Sequence, residues 1–211
     1  MFERVVEPGQ DGALAGRETA VNYAEMAERL MVQYRGFLSG LETLEVGSRY
    51  LEIGPGPGVL TVAVAREKPD AQIVGVEIAP DMVSVGRQYV ERAGLADRIQ
   101  FVAGDAEDRE VLGSLRKFDL VYSTFSLHHW KDPQKVIHNL TSVLADGGLL
   151  YIHDLRRVWW LYWVPVRSGF LDSIRAAYVR PEMREMLRGM GIERYRVKNV
   201  FPFMQSILIG T

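Results

Sequence analysis

The chain has 211 residues, no cysteine and a formal net charge of −2, with 47% hydrophobic and 25% charged residues. That is an ordinary soluble composition, and the length suits one domain. It excludes disulfides, thiolate metal sites and a cysteine nucleophile, and it offers no broad positive field to nucleic acid or an anionic membrane.

No run of about 18 apolar residues is present, so no membrane span is expected. The start, Met-Phe-Glu-Arg, lacks a basic region followed by an apolar core, so no secretory leader is expected either. With no cysteine, a cytoplasmic location is the natural expectation.

Residues 1–16 carry three glycines and one proline with little periodicity, and read as a flexible arm. Apolar residues Tyr23, Met26, Ala27, Leu30, Met31 and Tyr34 then recur at steps of three and four, which predicts helix over 19–41. Gly36 and Gly40 interrupt that pattern, so a split into two short helices is allowed. A strand is expected over 49–53. The run Leu-Glu-Ile-Gly-Pro-Gly-Pro-Gly follows through residue 58, and a helix over 59–66. Strand, glycine turn and helix make a nucleotide-binding corner, because backbone must approach a ligand where a Cβ would clash.

A second strand is expected over 72–77, and a helix over 81–93 with Pro80 in its first turn and Gly94 as its carboxyl cap. Further strands are expected over 98–103, 118–122 and 148–153, with a helix over 133–144 between the last two. Strand and helix alternate from 49 to 154, the pattern of a parallel sheet with helices on both faces. The last third differs. Residues 155–178 are rich in aromatic and basic groups. A helix is expected over 181–190, ended by Gly191, then strands over 193–200 and 204–209 joined by Phe201-Pro202-Phe203 as an edge hairpin.

Four loops gather at the carboxyl ends of the parallel strands, where open α/β sheets bind ligands. The glycine corner is the first, with Glu52 two residues before Gly54, and Gly56 and Gly58 after it. Glu77 ends the second strand, where a carboxylate accepts from both ribose hydroxyls of a nucleoside. Asp105 follows the third strand. It suits an adenine amine, with the Ala106 N–H for a ring nitrogen, or it caps a helix starting near Glu107. Ser123 to Trp130 follows the fourth strand and contains His128 and His129, candidates for a general base or for packing and capping. Two histidines without a third ligand predict no metal site.

A dinucleotide fingerprint would place a third glycine where this chain has Val59, which argues against a nicotinamide oxidoreductase. The pattern E-x-G-x-G-x-G resembles instead the first motif of the class I S-adenosylmethionine-dependent methyltransferases. The segment Leu127-His-His-Trp130, with Lys131-Asp132-Pro133 behind it, is similar to one found in many small-molecule members. Together the four loops resemble the branch that acts in ubiquinone and menaquinone biosynthesis. The resemblance covers roughly residues 45–155.

That resemblance implies a Rossmann-like methyltransferase fold. Its seven-stranded, mostly parallel sheet ends in an antiparallel hairpin, with helices on both faces. It implies a single domain: residues 1–44 an arm and lid helix, 45–154 the cofactor-binding core, 155–180 an aromatic lid, 181–211 the final helix and hairpin. The cofactor would be S-adenosylmethionine, leaving S-adenosylhomocysteine. Gly54, Gly56 and Gly58 would hold its methionine part, Glu77 the ribose, and Asp105 with Ala106 the adenine. Ile78 and Met82 would line the nucleoside, with Glu52, Ser123 and Tyr23 nearby. A sulfonium needs no Lys or Arg, and these loops supply acids.

The acceptor would be a small molecule. Tyr34, Trp160 and Arg156 or Arg157 are candidates to meet it across one cavity shared with Tyr23, Met26 and the two histidines. The chain has Ser-Thr-Phe-Ser where nitrogen-methylating members carry an Asn/Asp-Pro-Pro-Tyr motif, so nucleic-acid methylation is not expected. Aminopropyl or carboxypropyl transfer, a non-catalytic S-adenosylmethionine-binding protein and a homodimer stay open.

Overall fold

The computed structural model describes residues 4–5, 16–29, 31–163 and 168–210, with the side chain of Tyr162 excepted. Leu30, most of the expected arm and part of the aromatic segment lie outside the described residues. The elements are α1 (Arg17–Arg29), a 3-10 turn (Met31–Tyr34), α2 (Arg35–Glu42), β1 (Arg49–Ile53), α3 (Val59–Glu67), β2 (Gln72–Glu77), α4 (Pro80–Arg92), β3 (Ile99–Ala103), α5 (Arg109–Gly113), β4 (Phe118–Thr124), a 3-10 turn (Leu127–His129) and α6 (Pro133–Ser142). Then come β5 (Leu144–Leu155), a 3-10 helix (Trp159–Trp163), α7 (Gly169–Ala176), α8 (Arg180–Gly189), β6 (Tyr195–Val200) and β7 (Met204–Gly210).

Seven strands form one sheet in the order β3-β2-β1-β4-β5-β7-β6. β1 to β5 run parallel, whereas β7 pairs antiparallel with both β5 and β6. The fold is therefore Rossmann-like, with the hairpin inserted so that β6 forms the edge. Because successive strand residues face opposite ways, each strand feeds two cores. Leu51, Ile53, Val121, Leu150 and Ile152 pack with α6 and α8 through Val136, Ile137, Leu140, Met183 and Leu187. Tyr50, Ile73, Phe101, Leu120, Tyr122 and Tyr151 pack with α2, α3 and α4.

The helix expected over 19–41 does break, though not at its glycines. The 3-10 turn Met31–Tyr34 separates α1 from α2, and Gly36 and Gly40 both lie inside α2. They serve close approach. At Gly40 the Tyr151 hydroxyl fills the space a Cβ would take, and Gly36 packs within 3.3 Å, on the same measure, of the His153 ring. The aromatic segment also holds two elements that its composition concealed, the 3-10 helix and α7. In α7 the Ser168 hydroxyl accepts from Leu171 N.

Gly58 shows most clearly why the corner needs glycine. Its φ is +82°, and a Cβ would lie 2.9 Å from Phe101 Cζ. Left-handed backbone costs a non-glycine residue roughly 1–2 kcal/mol, and overpacking adds about 1–3 kcal/mol. Gly58→Ala is therefore expected to lower unfolding free energy by about 2–5 kcal/mol in urea titration, the sum of those two costs. A loss below about 0.5 kcal/mol, the size of an ordinary surface change, would contradict the packing described.

Candidate active site

The site is built at the carboxyl ends of β1, β2, β3 and β4. Gly54, Gly56 and Gly58 take φ values of +69°, +55° and +82°. Gly54 N donates to Val76 O on the neighbouring strand at 2.9 Å, and Gly58 N to Pro55 O at 3.0 Å. Glu77 locks this turn from the side. Its Oε2 accepts from Gly56 N at 3.0 Å and its Oε1 from Ala79 N at 2.9 Å. The Ile78 N–H is directed at the same carboxylate, so of its roughly four lone-pair sites one is left for a ligand hydroxyl. Burial raises the Glu77 carboxyl from its usual range, and the bonds from Ala79 and Gly56 oppose that rise.

Glu52 lies deeper, 1% exposed, and accepts from Tyr122 Oη at 2.9 Å. The Thr61 hydroxyl is buried beside it without a hydrogen bond of good geometry. Above the corner, the Tyr23 ring stands 3.8 Å from where a Gly56 Cβ would be. Tyr34 is 8% exposed and packs edge-on to Phe125 at 5.5 Å. Burial, then Tyr23 and Glu52, hold the Tyr34 hydroxyl well above its ordinary range. Tyr23, Tyr34, Glu52, Glu77 and Gly56 are thus brought together.

Ser123 is fully buried and donates to Ile53 O at 2.9 Å, which ties β4 to β1 below the corner. Met82 is 1% exposed and packs with Ala20, Ala24 and Val85 between α1 and α4, whereas Ile78 is 66% exposed beside the opening. Asp105 is exposed at the β3 end. Its Oδ1 accepts from Glu107 N at 2.8 Å, a local turn rather than the helix cap weighed above. The α5 cap is Asp108. Ala106 is buried, and its carbonyl accepts from Asn139 Nδ2 at 3.1 Å.

The two histidines part company. His128 is buried, and Asp154 binds it twice: the carboxylate accepts from His128 N at 3.1 Å and meets Nδ1 at 2.8 Å. With Nδ1 donating to a carboxylate, Nε2 is the ring nitrogen that takes up a proton. His129 is exposed, its ring 3.9 Å from that of His128. Neither caps the next helix. Asp132 does, accepting from Lys135 N. Arg4 reaches this loop from the amino end, donating to His128 O at 3.3 Å and to Ala176 O at 2.6 Å. Phe125, one turn upstream, has φ +53°. Such strain in a non-glycine residue costs of order 1–3 kcal/mol and is common at functional loops.

The expected acceptor residues are divided. Trp159, Trp160 and Trp163 are 66%, 43% and 73% exposed, while Val158 and Leu161 anchor their helix against Leu155, Ile174 and Met204. Arg156 joins the β5 end to the hairpin turn: its N donates to Phe203 O and its side chain to Pro202 O. Arg157 is spent on Glu182 and Ala177 O, so it anchors α8 and does not face an acceptor. Met26 is 46% exposed. One surface cleft lies at the opposite strand ends, among Gly47, Asp119 and Asp146, and another between the start of α4 and the end of β3, among Pro80, Arg87 and Ala103.

Asp154, Tyr122 and Thr61 were missed. Each sits within an apolar strand or helix, where one polar residue gives no periodic signal.

A family model for the methyltransferase domain matches residues 44–188, 145 of the 211 residues. The chain belongs to this methyltransferase family. It is 27% identical over 134 residues to a ubiquinone biosynthesis O-methyltransferase of Actinobacillus pleuropneumoniae serotype 7, covering 63% of this chain and 53% of that protein. It is 32% identical over 117 residues to the 27-O-demethylrifamycin SV methyltransferase of Amycolatopsis mediterranei, covering 56% and 42%. The chain thus spans about half the length of these curated relatives.

Among solved structures it resembles the plantazolicin methyltransferase BamL in complex with a triazolic desmethylPZN analog and SAH, with TM-score 0.74 at 17% identity over 92% of this chain and 91% of that one. A SAM-dependent methyltransferase from Aquifex aeolicus gives TM-score 0.66 at 17% identity, covering 83% and 88%. At such identity these two speak for the fold. Among the described residues, no helix of this methyltransferase-family chain is long and apolar enough to cross a membrane, and no cluster of three or more metal-binding side chains occurs.

Two buried groups near this site titrate in opposite senses. Burial pushes Glu52 up from 4.5 to about 7 and His153 down from 6.5 to about 4. Glu52 favours the fold fully below 4.5 and loses that contribution as pH rises through 7. His153 favours it fully above 6.5 and loses that as pH falls through 4. Each contributes up to about 3 kcal/mol, and between pH 4.5 and 6.5 they oppose. Glu52→Gln should therefore lose stability on acidification from pH 7 to 5, and His153→Leu on raising pH over the same range. Urea midpoints at each pH check this. A Glu52→Gln midpoint that stays flat would contradict the neutral burial of His153.

Proposed function

We propose that this chain transfers a methyl group from S-adenosylmethionine to a small-molecule acceptor in the cytoplasm. The observation that carries the reading is Glu77, aimed into the glycine corner by Gly56 N and Ala79 N, with Glu52 buried behind it. Among the described residues, no basic side chain is recorded beside either acid. That pair of acids suits the sulfonium and ammonium charges of such a nucleoside, whereas a phosphate-bearing cofactor would bring its anionic phosphates against carboxylates. The overall charge of −2 and the rings of Tyr23 and Tyr34 beside the corner favour an uncharged or apolar acceptor over nucleic acid.

S-adenosylmethionine supplies a methyl group already activated on sulfur. The chain's own residues bind, align and exclude water. In this assignment the turn at Gly54, Gly56 and Gly58 lets backbone approach the methionine part. Glu77 accepts from the ribose, Asp105 from the adenine amine, and the Ala106 N–H donates to the ring. Ile78 covers the adenine face, and Met82 and Ser123 hold the floor. Tyr23 and Tyr34 close the top, where removing water strengthens weak polar contacts. Alignment alone accounts for up to ~7–11 kcal/mol of the barrier. His128 takes the acceptor's proton on Nε2, with Asp154 fixing the ring, and Trp160 flanks the acceptor's entry.

Incubation with S-adenosylmethionine and a panel of phenols, hydroquinones and hydroxylated polyketides tests this directly. Release of S-adenosylhomocysteine together with a methylated product supports it. Tight cofactor binding with no turnover on any of them would leave a binding protein instead.

A further inference from the structure

Glu52 and Tyr122 form a buried pair that the cofactor-binding roles above leave without a task. Glu52 ends two residues before Gly54, so whatever rests on the turn lies beside it. Its surroundings are unusual for an ionised acid. The titratable groups on the packed elements are Glu77 on β2, Tyr122 on β4 and Tyr34 ahead of α2, with Thr61 from α3. Tyr23 on α1 faces Tyr34 and Glu77, and Tyr50 on β1 faces Tyr122. Among the described residues, no cation is recorded in this shell. A carboxylate buried with a second carboxylate nearby and no counter-charge is costly to ionise.

We propose that the Glu52–Tyr122 pair distinguishes the cofactor from its product: Glu52 keeps its proton when the ligand's sulfur is neutral and releases it when the sulfur is a cation. This rests on the function proposed above and deepens it. S-adenosylmethionine and S-adenosylhomocysteine share nucleoside, amino and carboxylate groups, and differ only in the methyl group and the sulfonium charge. A sulfonium at the corner supplies the counter-charge the shell lacks, so the ionised acid becomes affordable only with the substrate form. After methyl transfer the charge vanishes, Glu52 takes a proton back from water, and the product loses that attraction. Burial holds the Glu52 carboxyl at about 7, which places the exchange near neutral pH.

The test is isothermal titration of the intact chain with each ligand from pH 6 to pH 8, in two buffers of different ionisation enthalpy. The affinity ratio of S-adenosylmethionine to S-adenosylhomocysteine should rise about tenfold across that range, the span set by a group titrating at its centre. The amino group common to both ligands cancels in the ratio. The methylated ligand should also release more protons. Glu52→Gln should flatten the ratio while both ligands still bind. Tyr122→Phe, which removes only the hydroxyl, should move the step to higher pH. A flat ratio in the wild type, or an unchanged slope in Glu52→Gln, overturns the inference and leaves the proposed function standing. Failure of both ligands to bind overturns both.

Discussion

Replacing Asp154 with Asn should slow methyl transfer by roughly 10²–10⁴-fold, the usual span for a general base, with cofactor affinity nearly unchanged. The argument is about tautomers. The Asp154 carboxylate accepts from His128 N and from Nδ1, and that second bond keeps the accepting lone pair on Nε2. An Asn can still accept from His128 N through its oxygen. It then presents an amide N–H to Nδ1, which forces the imidazole proton onto Nε2. A ring so protonated cannot take the acceptor's proton. His128→Asn should show the same loss, and the double variant no further loss, because the pair acts as one unit. The measurements are turnover rate against pH and cofactor affinity by titration. If the acceptor is already ionised, alignment carries the reaction alone and both variants keep their rate. Full activity in Asp154→Asn would therefore make the buried pair a structural clamp.

Glu77→Ala should weaken S-adenosylmethionine binding by about 1.5–3 kcal/mol, roughly 10–150-fold, the range for hydrogen bonds to a charged group. The carboxylate acts twice. It accepts from Gly56 N and Ala79 N, shaping the turn before any ligand arrives, and the lone pair left over is the one assigned to the ribose. Losing the side chain removes ligand bonds and leaves two backbone donors to water. Stability should also fall, because the turn loses a buried acceptor of two backbone N–H groups, so the urea midpoint measures the cost to the turn and titration of the folded variant measures lost binding. Glu77→Gln should fall between, because its single amide oxygen serves one donor and its NH2 repels the other. An Ala variant that folds and binds normally would remove Glu77 from the ribose.

Most of the fold was legible because it rests on local rules. β1 and β2 fall at their expected bounds, β1 because Gly54 stops it and β2 because its apolar run lies between Gln72 and Glu77. The corner was legible because positive φ at three alternate positions demands glycine. The helix at the amino end was misdivided for a tertiary reason. Gly36 and Gly40 look like breakers in sequence, yet His153 and Tyr151 need their missing side chains. Helix α7 was hidden because aromatic and basic residues dominate its neighbourhood, and its apolar face shows only against Leu155 and Met204. At the site, residues on loops announced themselves. Asp154 did not, because in the run Tyr-Ile-His-Asp-Leu its partner lies 26 residues away, and only the parallel pairing of β4 with β5 brings them together. Arg157 misled by composition alone, as its guanidinium is needed by Glu182.

The central claim is that the glycine corner holds a sulfonium nucleoside. Side-by-side isothermal titration of the wild-type chain with S-adenosylmethionine and with NAD, at one pH and salt concentration, tests it most directly. The account predicts saturable binding of S-adenosylmethionine and little or none of NAD, because the place for the third dinucleotide glycine holds buried Val59 and the turn faces carboxylates. NAD binding more tightly than S-adenosylmethionine would contradict it.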